Sequence, residues 1–199
     1  MELPAYHDEV QSLARTGRHD SPTVFDRERF ERLLALTTEA YATLTDVDPV
    51  ELRERFAREI GYVTAKVGVE LALVDDDSRL LVVRRADDGR WAIVSGYLDP
   101  NEHPSEGAAR EAAEELGLTV RIDELVDVYH RPAGDWGPHS LVSVLYLGTV
   151  EHGEIALAEH ELLEARWTHL HEVDGDWHLE HRDRASDALD RWQARHRSD

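Results

Sequence analysis

Cysteine is absent from the 199 residues, which excludes a disulfide framework and any cysteine-ligated metal. Lysine is nearly absent: Lys66 stands alone among 22 basic residues, which 42 acidic residues outnumber to leave a formal charge of −20. That balance argues against a broad nucleic-acid or anionic-membrane surface, and it repels free phosphates unless a metal and local arginines intervene. A high-GC genome explains the missing lysine but not the acid excess. The excess fits the cytoplasm of a salt-adapted organism, where screening over a few ångströms removes self-repulsion. No apolar run approaches the ~20 residues of a membrane span, and the opening MELPAYHDEV has no signal-peptide pattern, so a soluble cytoplasmic protein is expected. Repeats and low-complexity tracts are missing too. The length suits one catalytic domain with a small appendage.

The informative stretch is Gly96 to Leu118, GYLDPNEHPSEGAAREAAEELGL. A turn rich in Gly, Asp, Pro and Asn leads into one short helix. Glu111, Glu114 and Glu115 share a face of that helix through steps of three and four. Three like charges so crowded weaken a helix unless a cation sits among them, and a hard divalent metal suits carboxylate oxygens while keeping positions for water and phosphate. Pro104 suits the first helical turn, Glu106 faces the positive end of the helix dipole, and Gly117 is expected as the C-cap.

The spacing Gly96, Glu102, Arg110-Glu111, Ala112, Glu114-Glu115, Gly117-Leu118 resembles the Nudix box at every position. The family hydrolyses nucleoside diphosphates linked to another moiety. The resemblance implies an α/β/α sandwich with a mixed sheet. It implies Mg²⁺, with Mn²⁺ as a substitute, on Glu111, Glu114, Glu115 and the Gly96 carbonyl, the ion number left open. It gives Glu111 or a nearby carboxylate the water's proton, and Arg110 with Glu102 a bracing role. Relatives often place a further base in a later loop. HELLEARW resembles that segment, with Glu161 the first choice, Glu164 the second and Glu159 beside them. One departure stands out: Val94-Ser95-Gly96 replaces the usual Pro-Gly-Gly. Val94 restores a backbone donor, so the strand is expected to run further into the loop.

Residues 1–60 read as helical, with helices over Glu2–Arg15, ended by Gly17 and Pro22, then Thr23–Leu44 and Pro49–Ile60. SPTVFDRERFERL resembles the N-terminal helical domain of the Nudix subset acting on nucleoside diphosphates linked to X, which implies a homodimer. From Tyr62 the period changes to two or to apolar runs. VTAKVGVELALVDDD and RLLVVRR read as a hairpin turning at Asp75–Ser78. WAIVS, Leu118–Tyr129, Leu141–Val150 and EARWTHL follow as strands, and a helix over Arg182–His196 ends the chain. The expected domains are thus 1–60, helical, and 61–199, catalytic.

Substrate contacts are expected from Arg84 or Arg85, Tyr97, and the loop residues Trp136 and His139, although each aromatic singly reads as packing and the strand-end arginines as surface ion pairs. His169 and His171 alternate on a strand, with His178 and His181 beyond. Without an HExxH pattern or a cysteine partner, no zinc site is expected. Two rival functions are weaker. A non-catalytic sensor on this fold is expected to have lost box carboxylates, and an isopentenyl-diphosphate isomerase implies a cysteine. A triphosphorylated or capped RNA end conflicts with the acidic surface. The reading is a small-molecule pyrophosphatase for ADP-ribose, a CDP-alcohol or a UDP-sugar.

Overall fold

The computed structural model describes residues 3–45, 47–58, 64–134 and 139–197. Contacts divide the chain into two units, Met1–Lys66 with His130–Val142, and Val67–Tyr129 with Ser143–Asp199.

In the first unit, α1 (Leu3–Asp20), α2 (Val24–Thr45) and α3 (Pro49–Arg58) bury Leu34, Tyr41, Leu52 and Phe56. The break expected at Gly17 does not occur. A Cβ at Gly17 would overlap the Phe30 ring, so the glycine lets α1 approach α2 closely at a cost to helix propensity that packing overrides. Thr23 caps α2 through Oγ1, which accepts the Asp26 N–H at 3.1 Å. The core also holds polar groups. His139 Nδ1 lies 2.9 Å from the Tyr41 hydroxyl and 3.0 Å from Asp8 Oδ1, and Arg15 covers the Phe56 ring.

The second unit is an α/β/α sandwich with a mixed sheet. Its strands are β1 (Lys66–Leu73), β2 (Leu80–Arg85), β3 (Trp91–Ala92), β4 (Val94–Tyr97), β5 (Thr119–Arg131), β6 (Leu141–His152) and β7 (Leu162–Thr168). They form a four-stranded sheet of order β4-β1-β6-β5 and a three-stranded sheet of order β3-β2-β7. The expected β1–β2 hairpin is therefore corrected. Apart from the Val74–Leu80 bridge, the two strands part into different sheets. The WAIVS strand divides likewise, with β3 in one sheet and β4 in the other on either side of Ile93. Alternation explains the layers. Val69, Leu71, Leu73, Leu81 and Val83 face α4 (Pro104–Leu116), while Ala72, Val74, Leu80 and Val82 face α5 (His181–His196). Burial on both faces makes these strands near-continuous apolar runs, which reads locally like a hairpin and conceals the split.

One charge interrupts the α5 side. Glu70 is 3% exposed, accepts the Ser143 hydroxyl at 2.6 Å and lies 3.1 Å from Arg184 Nε. Arg184 in turn covers the Tyr129 ring. Among the described residues no helix is long and apolar enough to cross a membrane.

Candidate active site

β4 does continue into the loop. Val94, Ser95, Gly96 and Tyr97 pair antiparallel with Leu71, Glu70, Val69 and Gly68, and Leu98 N–H then donates to Val67. The chain turns through Asp99–Glu102 and enters α4, where His103 and Glu106 form a capping box on either side of Pro104 in the first turn. Gly117 closes the helix in the left-handed region, φ 69°. Its N–H reaches the Ala113 carbonyl at 3.0 Å and that of Leu118 reaches Ala112 at 3.3 Å.

Arg110 organises the acidic face. Its Nε and Nη2 meet the two oxygens of Glu102 at 2.8 and 3.0 Å, and Nη1 bridges Glu111 at 2.9 Å and Glu114 at 2.8 Å. Nη2 also donates to the Tyr97 carbonyl, which ties helix to strand. Bidentate pairing with carboxylates holds Glu102 well below its ordinary pKa, the Asp99 N–H helping, and raises that of Arg110. Gly96 and Gly107 are required by closeness: a Cβ at Gly96 would overlap the Glu111 carboxyl, and one at Gly107 would strike Leu98 and Glu102.

Glu115 is the anomalous member. It is 6% exposed, and burial pushes its carboxyl up to about 8, with Glu111 and Glu161 adding to the shift and Arg85 and the Ser95 N–H opposing it. Its Oε2 is buried without a hydrogen-bond partner. Glu111 is raised as well, first by burial, against the pull of Arg110. Three or more acidic or histidine side chains do not gather around one point among the described residues. The donor set nevertheless fits a hard divalent cation, because Glu115 presents a buried carboxylate oxygen with no hydrogen-bond partner among the described residues.

Among the other candidates, strand alternation separates the two arginines. Arg85 lies on the Glu115 side, paired with Asp87, whereas Arg84 donates to the Gly89 carbonyl and lines a different cleft with Glu164 and Arg166. Glu161 is brought toward the box, since its charge acts on both Glu111 and Glu115; Glu164 is not. Backbone bonds hang the Glu161 segment on α4 and β2: Ala158 N–H donates to Glu115, Glu161 N–H to Ala158, and Ala86 N–H to Glu161. Glu159 lies in the same exposed turn. Tyr97 is exposed beside Gly96, His139 is engaged in the first unit by Tyr41 and Asp8, and Trp136 lies outside the described residues.

The profile of the NUDIX domain matches residues 64–191. This chain belongs to the Nudix family. The cluster on α4 is its Nudix box, and residues 2–56 match a UDP-X-like, N-terminal oligomerisation domain. A MutT-like protein of Streptomyces ambofaciens is 48% identical over 63 residues, 32% of this chain and 41% of that protein. A putative ADP-ribose pyrophosphatase of Bacillus subtilis (strain 168) is 30% identical over 119 residues, 60% of this chain and 57% of that protein. The chain thus spans less than two thirds of the length of either relative. A crystal structure of a UDP-X diphosphatase shares the fold, with TM-score 0.60 at 19% identity over 96% of this chain and 93% of that one.

Two contributors to the Nudix site were missed in the sequence. The Ser95 N–H that meets Glu115 is a backbone group, so residue identity carries no signal for it. Asp87, which holds Arg85, sat unremarked in the β2–β3 turn, although an acid two residues past a strand-end arginine was a readable cue.

Proposed function

We propose that this chain hydrolyses the pyrophosphate bond of a nucleoside diphosphate linked to a second moiety, such as ADP-ribose, a CDP-alcohol or a UDP-sugar, and releases a nucleoside monophosphate. The observation that carries this reading is the buried Glu115 carboxylate with an unsatisfied oxygen, set beside Glu111 on a face that Arg110 braces. Glu111, Glu114, Glu115 and the Gly96 carbonyl would hold Mg²⁺ or Mn²⁺. When bound, the metal supplies positive charge for the phosphate oxygens that become more negative as the bond breaks.

The chain's own groups do the rest. Glu161 accepts a proton from the water that attacks phosphorus, with Glu111 the other acceptor, while the bond from phosphorus to the bridging oxygen breaks and that oxygen leaves on the second product. Arg110 and Glu102 keep the box carboxylates oriented, and Arg85, held by Asp87, offers a guanidinium to a phosphate oxygen. Tyr97, exposed beside Gly96, contributes to the choice of substrate.

The same reading includes a homodimer through the N-terminal helices. Leu3, Tyr6 and Leu13 recur on one face of α1 and are all exposed, and the matched oligomerisation domain supports it. The formal charge of −20 supports a working environment rich in salt. The deciding experiment incubates the protein with a panel of such nucleoside diphosphate compounds and Mg²⁺ at low and multimolar salt and identifies the mononucleotide released. Absence of hydrolysis across the panel overturns the reading, and a monomer mass by light scattering in high salt overturns the dimer.

A further inference from the structure

A second cleft opens at the other end of the sandwich from the Nudix box. Gly96 pairs with Val69 near the start of β1, whereas this cleft begins at Val74, just past the end of that strand. Five residues of strand separate them by roughly 16 Å. The four-stranded sheet contributes Val74, Thr149 and Val150, the three-stranded sheet contributes Trp167, and the last turns of α5 close the opening with Trp192 and Arg195. The cavity measures about 330 Å³, within the range of small-ligand sites.

Its chemistry is aromatic on the walls and cationic on one side. Trp167 and Trp192 are only partly buried, and their indole N–H groups have no hydrogen-bond partner among the described residues. His196 stacks on Trp192 with ring centroids 4.0 Å apart, and its Nδ1–H donates to the Trp192 carbonyl, which holds that indole in place. Arg121 and Arg195 flank one buried acid, Asp123, whose second oxygen also accepts the Thr149 hydroxyl at 2.7 Å. Asp123 therefore has its donors already, and the two arginine side chains remain 55% and 49% exposed, with Arg195 no closer to the acid than 3.9 Å. Glu151 stands 3.6 Å from Arg121, which makes Arg195 the freer cation. Asp75 is turned to Arg79, so Asp76 is the exposed acid at the mouth. In a chain of charge −20, two cations beside two partly exposed indoles suit a planar ring that carries an anion.

We propose that this cleft binds a nucleoside monophosphate, with the base against Trp167 and Trp192, the phosphate on Arg195 and Arg121, and the ribose hydroxyls toward Asp76. The assignment does not rest on the hydrolase reading, although the proposed reaction releases such a molecule and the cleft then senses its product.

Isothermal titration of the full chain with AMP and with UMP, in EDTA so that the Nudix box carries no metal, tests it. AMP is expected to bind with Kd below about 1 mM, and about tenfold more weakly or worse in Arg195→Glu and in Trp192→Leu. Arg195→Glu alters an exposed side chain, so it keeps the test open if Trp192→Leu fails to fold. Adenosine alone and inorganic phosphate alone are each expected to bind more weakly than AMP, and Glu115→Gln is expected to bind AMP like the unaltered chain. No heat with millimolar AMP or UMP overturns the proposal. So does undiminished binding in Arg195→Glu, adenosine binding as tightly as AMP, or loss of binding in Glu115→Gln, which would put the ligand at the box.

Discussion

Two glutamates of the second unit are almost equally buried, Glu70 at 3% and Glu115 at 6% exposure, yet the fold answers them differently. Glu70 receives a hydroxyl and a guanidinium from the elements around it. The Oε2 of Glu70 lies 3.1 Å from Arg184 Nε, whereas Glu115 receives one backbone N–H and has the charges of two more acids acting on it. A buried acid that the chain neutralises is a structural tie between layers. One that the chain crowds with like charge fits an external cation. The hydrophobic sandwich tolerates the second case because Arg110, Glu102 and the glycines hold the crowded face in place.

That contrast can be broken most forcefully at Glu70. Glu70→Ala removes the nearer partner of buried Arg184 and leaves it the half-exposed Glu180 at 3.6 Å, and the expected loss is about 3 kcal/mol in denaturant unfolding, with turnover per folded molecule unchanged. A neutral result would make the pair dispensable. Glu115→Gln is expected to do the opposite, lowering kcat by about 10²–10³-fold while the chain stays folded; hydrolysis at the original rate would remove Glu115 from the reaction. Arg110→Lys keeps the charge but cannot bridge Glu102, Glu111 and Glu114 at once. Metal affinity followed by titration calorimetry should fall about 10–100-fold.

The smallest effect sharpens the comparison through pH. The Glu115 carboxyl rises from 4.5 to about 8 on folding, so the folded chain keeps a proton that the unfolded chain has released in that window. Stability from this group is present below about pH 4.5 and is lost as pH rises through about 8. In the metal-free protein, Tm should fall between pH 5 and pH 9 by more in the unaltered chain than in Glu115→Gln, and saturating Mg²⁺ should narrow the difference. Equal slopes with and without Glu115 would refute the buried-acid account.

Much of the box was legible because its partners are neighbours in sequence. Glu111, Glu114 and Glu115 share a face by helical period, and Gly117 and Pro104 announce the ends of α4. Strand alternation could also have told Arg85 from Arg84. The paired fate of β1 and β2 could not be read, because strands buried on both faces carry no local mark of which neighbour they join. His139 resisted for a similar reason: its loop position suggested a ligand, but Asp8 and Tyr41, about a hundred or more residues away in the chain, had already engaged its ring.

By itself the sequence determined the family, the order of helices and strands, and the acidic helix face that follows the sharp turn. These depend on contacts within a turn or two of helix, where spacing alone places side chains together. The tertiary structure alone decided which buried acid meets a guanidinium, which arginine faces the box, and that two sheets part to leave a tryptophan-lined cleft. Those outcomes depend on packing between segments far apart in the chain, and no local period encodes that.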